Sequence, residues 1–168
     1  MSPRLFLQRP LRWLSAIHRV QATISGAPNF AFELCVDKIT DEQRESLNLT
    51  TWKTAFCGAE PIRAETLERF AEAFEVSGFS RSSFYPCYGL AESTLLVAGG
   101  DGPAEPHYRG VMREALTANQ VEFADESANG SAQRLVGCGG PAYGQEIEIV
   151  DLVSHDPCDA GKIGEIWV

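Results

Sequence analysis

Residues 52–61 read WKTAFCGAEP, and residues 22–30 and 83–92 read ATISGAPNF and SFYPCYGLAE. Each stretch is a short run of apolar, aromatic or β-branched residues that soon meets a glycine. This pattern is typical of a buried strand followed by a tight turn. We therefore predict strands at residues 22–25, 52–57 and 83–87.

Segments with helical patterns lie between these strands. The clearest prediction covers residues 61–74, where a proline stands near the start and four apolar side chains share one helical face: Leu67, Phe70, Ala71 and Phe74. Shorter helices are predicted at residues 9–20, 30–36 and 90–97. Strands that alternate with helices in this way predict an α/β fold, with a parallel sheet and crossover helices.

The sequence changes character near residue 100. Residues 101–133 are polar and rich in turn-forming residues, which predicts an irregular segment. Residues 135–136, 146–150 and 165–168 then predict short strands of a small antiparallel β region. Between these strands, residues 137–140 read GCGG, but a proline and a strand follow. We interpret this run as a turn, because a dinucleotide-binding loop would lead into a helix.

These patterns divide the chain into three parts. Residues 1–100 are predicted to form an α/β subdomain, and residues 101–133 a separate polar segment. Residues 134–168 are predicted to begin a β-rich subdomain that is cut short in mid-strand.

Composition limits the classes of protein to which the chain can belong. Hydrophobic residues make up 44% and charged residues 22% of the 168 residues, as in a globular domain. The formal net charge of -9 gives little support to nucleic-acid binding, which needs clustered basic side chains. No apolar run approaches the roughly 20 residues of a membrane span, and no signal peptide is recognisable. We therefore expect a cytoplasmic protein without a membrane span.

The five cysteines lie far apart in the sequence and form no CxxC pair. Wide spacing and an odd number predict free, mostly buried thiols. The three histidines are scattered, and we assign them structural or surface roles.

Candidate binding residues follow the predicted strands. In an open parallel sheet, ligands bind where the carboxyl ends of the strands meet, and all three glycine turns fall there. Tyr88 offers an aromatic ring for stacking, and Glu92 offers a carboxylate for Mg²⁺. Residue chemistry by itself predicts a pocket for a nucleotide or another small molecule.

Three motifs add a resemblance to a known family. Residues 88–92 (YGLAE) resemble the Tyr-Gly-x-x-Glu motif of adenylate-forming enzymes, and residues 58–61 (GAEP) resemble their adenine-contacting loop. Residues 164–168 (GEIWV) resemble the strand that leads toward their ribose-binding aspartate. Within that superfamily, residues 25–32, 58–74 and 84–96 look most like fatty acyl-AMP ligases, and the resemblance covers nearly the whole chain.

The resemblance implies a reaction. A fatty-acid carboxylate attacks the α-phosphorus of ATP, pyrophosphate leaves, and the acyl group then passes from AMP to the phosphopantetheine thiol of an acyl carrier protein. ATP and Mg²⁺ are the implied cofactors, because the phosphate charge must be neutralised.

The resemblance also implies roles for individual residues. Glu92 would hold Mg²⁺ as the catalytic carboxylate, and Asn29 and Phe30 would border the acyl pocket. Ala91 replaces a threonine found in many relatives, so a hydroxyl contact is absent there. The implied nucleotide-binding residues are Gly58, Ala59, Glu60, Pro61, Tyr88, Gly89 and Leu90.

Several family parts are expected outside this sequence. The phosphate loop would precede residue 1, and the ribose-binding aspartate, the hinge and the catalytic lysine would follow residue 168. We therefore expect a fragment of the N-terminal domain that is inactive by itself. Residues 101–133 are the candidate for the segment that these ligases are thought to use to disfavour coenzyme A.

Two alternatives stay open at the level of sequence. The first is a fragment of an acyl-CoA ligase or of an amino-acid-activating domain, against which the long segment 101–133 and the Pro86-Cys87 pair argue. The second is a noncatalytic binding module, which needs an adenylate-binding measurement to separate it from the enzyme.

Overall fold

The parallel sheet is built from the three predicted strands. The computed structural model describes residues 2–102, 104–124 and 130–168. Strands β1 (Ile24–Gly26), β2 (Thr54–Cys57) and β3 (Phe84–Pro86) form a sheet of order β1-β2-β3, with both pairs parallel. Because Gly26 aligns with Phe56, and Cys57 with Pro86, the strands end along one edge. The predicted α/β class is confirmed.

Five helices accompany this sheet. Helices α1 (Pro3–Gln8) and α2 (Leu11–Val20) precede β1, and α5 (Ala64–Ala73) lies between β2 and β3. Helices α3 (Asn29–Lys38) and α4 (Asp41–Glu45) connect β1 to β2, and α3 packs against α5. The helices predicted at residues 9–20, 30–36 and 61–74 are confirmed as α2, α3 and α5. Within the described residues, no helix has the length and apolarity needed to cross a membrane.

Aromatic side chains fill the core on one face of the sheet. Phe32, Phe70 and Phe84 are at most 1% exposed. Edge-to-face contacts place the ring of Phe32 4.9 Å from that of Phe70 and 5.5 Å from that of Phe84. Such pairs contribute about 0.5–1.5 kcal/mol each beyond the area that they bury. On the other face, Ile24 and Phe56 remain 65% and 42% exposed.

The prediction of a helix at residues 90–97 is wrong. The segment contains a single 3₁₀ turn at Ala91–Ser93, and strand β4 (Ala98–Gly99) follows it. The reason is a long-range pairing, because the main chains of Tyr88 and Ala98 exchange two hydrogen bonds of 3.0 Å. Pairing of this kind requires an extended backbone at Ala98, which a helix cannot provide.

The segment predicted to be irregular, residues 101–133, contains regular structure. Strand β5 (Tyr108–Met112) and helix α6 (Arg113–Thr117) lie inside it, and β5 pairs antiparallel with β6 (Ala132–Val136). Residues 103 and 125–129 of this predicted segment lie outside the described residues. Strand β6 spans the predicted boundary between residues 133 and 134, so a boundary drawn there divides a strand.

The C-terminal strands agree with the sequence pattern. Strand β7 (Gly140–Pro141) pairs with β4, and β8 (Glu148–Val150) pairs antiparallel with β9 (Glu165–Trp167). Residues 137–140 therefore lead into a strand pairing, as the turn interpretation requires. The small antiparallel β region is confirmed.

One charged cluster fastens the β5–β6 hairpin to α5. Both guanidinium nitrogens of Arg134 donate to the carboxylate of Glu68, at 2.9 and 2.7 Å. Arg81 adds a third contact to the same carboxylate at 3.4 Å, and Arg134 lies over the Tyr108 ring at 4.9 Å. The hydrogen bonds and charge of Arg134 lower the pKa of Glu68 below its ordinary value.

Docking of this hairpin should depend on pH. Because the folded pKa of Glu68 is lowered, the pair stabilises docking above the ordinary glutamate pKa of about 4.3, and this stabilisation is lost as the pH falls through the folded value. We expect Arg134→Met to weaken docking by about 1 kcal/mol at pH 7, since the pair is partly exposed. Hydrogen exchange of residues 108–112 between pH 7 and pH 3 measures both effects.

Arg69→Met provides the matched control for Arg134→Met. Arg69 lies on α5 next to Glu68, and its ion pair with Asp37, at 2.9 Å, does not involve the hairpin. Equal protection of residues 108–112 in both variants would show that the Glu68 cluster does not hold the hairpin.

Candidate functional site

The three glycine turns leave the sheet side by side. The pairing of β2 and β3 extends one residue past the end of β3, because Cys87 N donates to the carbonyl oxygen of Cys57, the last residue of β2, at 2.9 Å. A Cβ atom at Gly58 would lie 2.7 Å from the Cys87 carbonyl oxygen, so this close backbone approach requires glycine. Tyr88 follows Cys87 directly. The sequence-predicted turns at residues 58–61 and 88–92 therefore start next to each other.

The turn at residues 58–61 is held by the beginning of α3. Ala59 has a φ of 67°, and Glu60 accepts a hydrogen bond from Phe30 N at 3.3 Å through its carboxylate. Asn29 donates from Nδ2 to Pro61 O at 2.9 Å, and its Oδ1 accepts from Arg63 N at 3.0 Å. Residues predicted to line the acyl and adenine sites thus contact one another directly.

The loop at residues 89–96 presents Glu92. The Tyr88–Ala98 bridge closes its base, and Leu90 O accepts hydrogen bonds from Ser93 N and Leu95 N. Glu92 is exposed on the 3₁₀ turn, whereas Tyr88 is half-buried. A side chain at Gly89 would overlap the Leu95 carbonyl oxygen. The loop therefore combines a buried, paired base with an exposed carboxylate at its tip.

Two supports of this loop come from distant sequence. Ala142 N donates to Val97 O at 2.8 Å, and Gln145 Nε2 donates to Ser93 O at 3.4 Å. A side chain at Gly139 would overlap the backbone of Gly99. The sequence did not predict that residues 139–145 contact the loop, because no local pattern predicts a contact between segments so far apart.

Phe30 lies beside aromatic residues of the first two helices. Its ring is half-exposed and lies 6.4 Å from Phe6, whose ring lies 6.0 Å from Trp13. Trp13 donates from Nε1 to Ser25 Oγ at 2.9 Å, next to the first glycine turn. The sequence did not predict Phe6 and Trp13 as neighbours of this edge. The amphipathic pattern of α2 identifies Trp13 as inward-facing but does not identify what it contacts.

Three thiols that are distant in sequence lie near the same edge. Burial, with smaller contributions from the nearby Cys87, Glu60 and Cys138, raises the pKa of Cys57 to about 12. Burial also raises the pKa of Cys87 and of Cys138. These thiols are protonated at neutral pH, so they lack the thiolate form that a cysteine nucleophile requires.

A metal ion at this edge would need further ligands in addition to protein side chains. Among the described residues, no group of three histidine, cysteine, aspartate or glutamate side chains could hold a metal ion. Glu92 offers one exposed carboxylate. This donor set fits Mg²⁺ that is shared with substrate phosphates, because Mg²⁺ commonly takes only one or two protein carboxylates in such sites.

The geometry defines a class of protein. Glycine turns, an aromatic side chain and an exposed carboxylate meet at the carboxyl edge of a parallel sheet, as in α/β domains that bind ligands at this edge. A family model described as AMP-binding enzyme matches residues 1–168. The chain therefore belongs to the AMP-binding enzyme family, and the resemblance to adenylate-forming enzymes is confirmed.

Individual relatives show which members of this family the chain is similar to. The chain is 42% identical to the medium-chain-fatty-acid–[acyl-carrier-protein] ligase JamA of Moorena producens (strain JHB) over 100% of its length, and spans 28% of that protein. It is 40% identical, again over 100% of its length, to the ligase TtuA of Teredinibacter turnerae (strain ATCC 39867 / T7901), which bears the same description, and spans 26% of it.

A solved structure agrees with these relatives. The fold matches the fatty acyl-adenylate ligase of L. pneumophila, crystallised with acyl adenylate and pyrophosphate, with a TM-score of 0.93 and 48% identity. The match covers 100% of this chain and 29% of that ligase. The chain thus corresponds to less than a third of the relatives that it matches.

The close approach at Gly89 gives a testable prediction. Gly89→Ala forces a methyl group against the Leu95 carbonyl oxygen, and we expect it to lower the free energy of unfolding by about 1–3 kcal/mol. Gly102→Ala is the control, because among the described residues no atom beyond the adjacent ones in the chain lies within 4 Å of a Cβ there. Urea unfolding measures the difference, and equal midpoints for the two variants would contradict the packing described for the loop.

Proposed function

We propose that the chain is part of a fatty acyl-AMP ligase of the cytoplasm. The ligase would activate a fatty acid with ATP to an acyl-adenylate and pass the acyl group to an acyl carrier protein. The observation that carries this proposal is the contact of Gly58 with Cys87, which brings the turn at residues 58–61 beside Tyr88. Because the chain spans less than a third of its relatives, the complete reaction belongs to a longer protein.

The nucleotide would lie between the two adjacent turns. Backbone groups of residues 58–61 would line the adenine, and Tyr88 would stack on or flank the base, with Gly89 and Leu90 near the adenylate. A narrow slot between a backbone turn and an aromatic ring suits a flat heteroaromatic base, because both surfaces make contact over the full area of the base. Gly58 supports this role, since its missing side chain allows the two turns to approach.

Glu92 would hold Mg²⁺ against the phosphates of ATP. Bound Mg²⁺ supplies neutralisation of the phosphate charge, which lowers the barrier to attack at the α-phosphorus. The exposed position of Glu92 on the tip of its loop supports this role, because the carboxylate can reach a ligand without losing an existing partner. No hydrogen bond or salt bridge to its carboxylate occurs within the described part of the chain.

The acyl group would approach from the side of Phe30. The half-exposed ring of Phe30, backed by Phe6, offers an apolar surface beside the turn at residues 58–61. A carboxylate held there could attack the α-phosphorus while the bond to pyrophosphate breaks. Transfer to a carrier protein is supported by the names of JamA and TtuA, both described as acyl-carrier-protein ligases.

Binding of an adenylate analogue tests the assignment. We expect a nonhydrolysable acyl-adenylate analogue to bind the chain in calorimetry, and Tyr88→Ala to weaken the binding about tenfold, because aromatic stacking contributes roughly 1–3 kcal/mol per base. Glu92→Gln should remove any dependence of ATP binding on Mg²⁺.

Two exposed residues provide matched controls. Tyr143 is fully exposed, so Tyr143→Ala removes the same ring outside the proposed slot. Glu114 is exposed on α6, so Glu114→Gln makes the same charge change elsewhere. Equal binding by the unchanged chain, Tyr88→Ala and Tyr143→Ala would remove the adenine assignment, and a noncatalytic module would then be favoured.

A further inference from the structure

We propose that Asn29 is a positioning residue that holds the turn at residues 58–61 in its nucleotide-binding shape. In this role its amide does not contact the acyl chain. It fixes the turn and ties that turn to the first residues of α3. The proposal rests on the proposed function, since it concerns how the same site is kept in order.

The contacts of Asn29 all point to this turn. The residue is 3% exposed. Its Nδ2 donates to Pro61 O at 2.9 Å, and its Oδ1 accepts from Arg63 N at 3.0 Å and lies 3.8 Å from Cys57 Sγ. The two backbone partners flank Ile62, so one amide group clamps the chain just before α5 begins at Ala64.

The turn has few other attachments. Ala59 adopts the left-handed region, and Ala59, Glu60 and Pro61 are all exposed. Within the described residues, no backbone-to-backbone hydrogen bond involves residues 58–62. Among the described residues, the hydrogen bonds that reach this stretch are those from Asn29 Nδ2 to Pro61 O and from Phe30 N to Glu60, and Asn29 Oδ1 holds the adjacent Arg63 N, so the shape of the stretch depends on the first turn of α3.

The same contacts argue against direct acyl binding by Asn29. A primary amide has two donor hydrogens and an acceptor oxygen, and burying it unpaired against a hydrocarbon chain is costly. Here donor and acceptor are both engaged with backbone groups. Phe30, which is half-exposed, is the member of the pair that can contact an apolar chain.

This arrangement couples the two parts of the proposed site. Asn29 and Phe30 are the first two residues of α3, so a movement of this helix start displaces the acyl-facing ring and the clamp on the turn together. A change at Asn29 should therefore alter nucleotide affinity although the side chain touches no nucleotide. Loss of general stability would not have this selectivity.

Asn29→Ala removes the clamp, and Thr66→Val is the matched control. Thr66 is 2% exposed and donates to Glu33 at 2.6 Å, so it also ties α3 to the region of α5 through a buried polar side chain, but not to the turn. Asn29→Asp keeps an acceptor for Arg63 N and loses the donor to Pro61 O, which provides a second variant with a smaller change in volume.

Two measurements on the full chain test the proposal. In hydrogen exchange, the Arg63 amide, whose hydrogen bond to Asn29 Oδ1 is lost in Asn29→Ala, should exchange about tenfold faster, while Thr66→Val leaves it unchanged. In calorimetry with a nonhydrolysable acyl-adenylate analogue, both Asn29 variants should bind the analogue about tenfold more weakly than Thr66→Val does. The comparison is made between variants whose midpoints of urea unfolding are equal, so that a difference in stability does not explain it.

The outcomes separate the inference from the proposed function. Unchanged exchange of the Arg63 amide in Asn29→Ala, or equal changes in Asn29→Ala and Thr66→Val, would overturn the positioning role. If the unchanged chain does not bind the analogue, the proposed function fails, and the exchange measurement still decides whether Asn29 holds the turn. Faster exchange confined to Asn29→Ala, together with weaker binding by both Asn29 variants, would support the proposal.

Discussion

The backbone of β3 stays paired with β2 for one residue beyond its own end, at Cys87, and Gly58 packs directly against Cys87 there. This contact depends on the register of β3. A shift of one residue would turn Phe84 out of the aromatic core and reverse the direction of every later side chain. Because Phe84 is 1% exposed between Phe32 and Phe70, the core fixes the register, and the register fixes where Tyr88 leaves the sheet.

The parts of the fold that the sequence predicts are those with a short-range signal. Alternation of strand and helix patterns located the parallel sheet, and the apolar spacing of residues 67–74 located α5. The glycines at or just after the strand ends located the edge where the three strands finish, since parallel strands end together. The start of α5 was predicted less accurately, because residues 61–63 belong to a turn that is hydrogen-bonded to Asn29. Asn29 precedes its partners Pro61 and Arg63 by 32 and 34 residues. No local pattern contains that information.

The errors arise where long-range pairing overrides local preference. Residues 90–97 carry helix-compatible side chains, yet the Tyr88–Ala98 bridge imposes an extended backbone after a single 3₁₀ turn. In residues 101–133, a polar composition concealed a hairpin whose strands pair Tyr108 with Val136. The hairpin is attached through Arg134 to Glu68, 66 residues away, and such an ion pair has no signature in either segment alone.

The charged side chains at the edge where the three strands end bear on which roles this part of the chain could take in the proposed function. A triphosphate requires neutralisation before a carboxylate can attack it. The carboxylates at this edge are Glu60 and Glu92, and the nearby Arg63 forms a salt bridge with Glu33 at 3.7 Å. The thiols of Cys57, Cys87 and Cys138 have raised pKa values and are uncharged at neutral pH, so they do not balance phosphate charge. In the proposed function, this edge would shape the base-binding site and present a metal ligand, and the phosphate charge would be balanced by a metal ion and by cationic groups from other parts of a ligase.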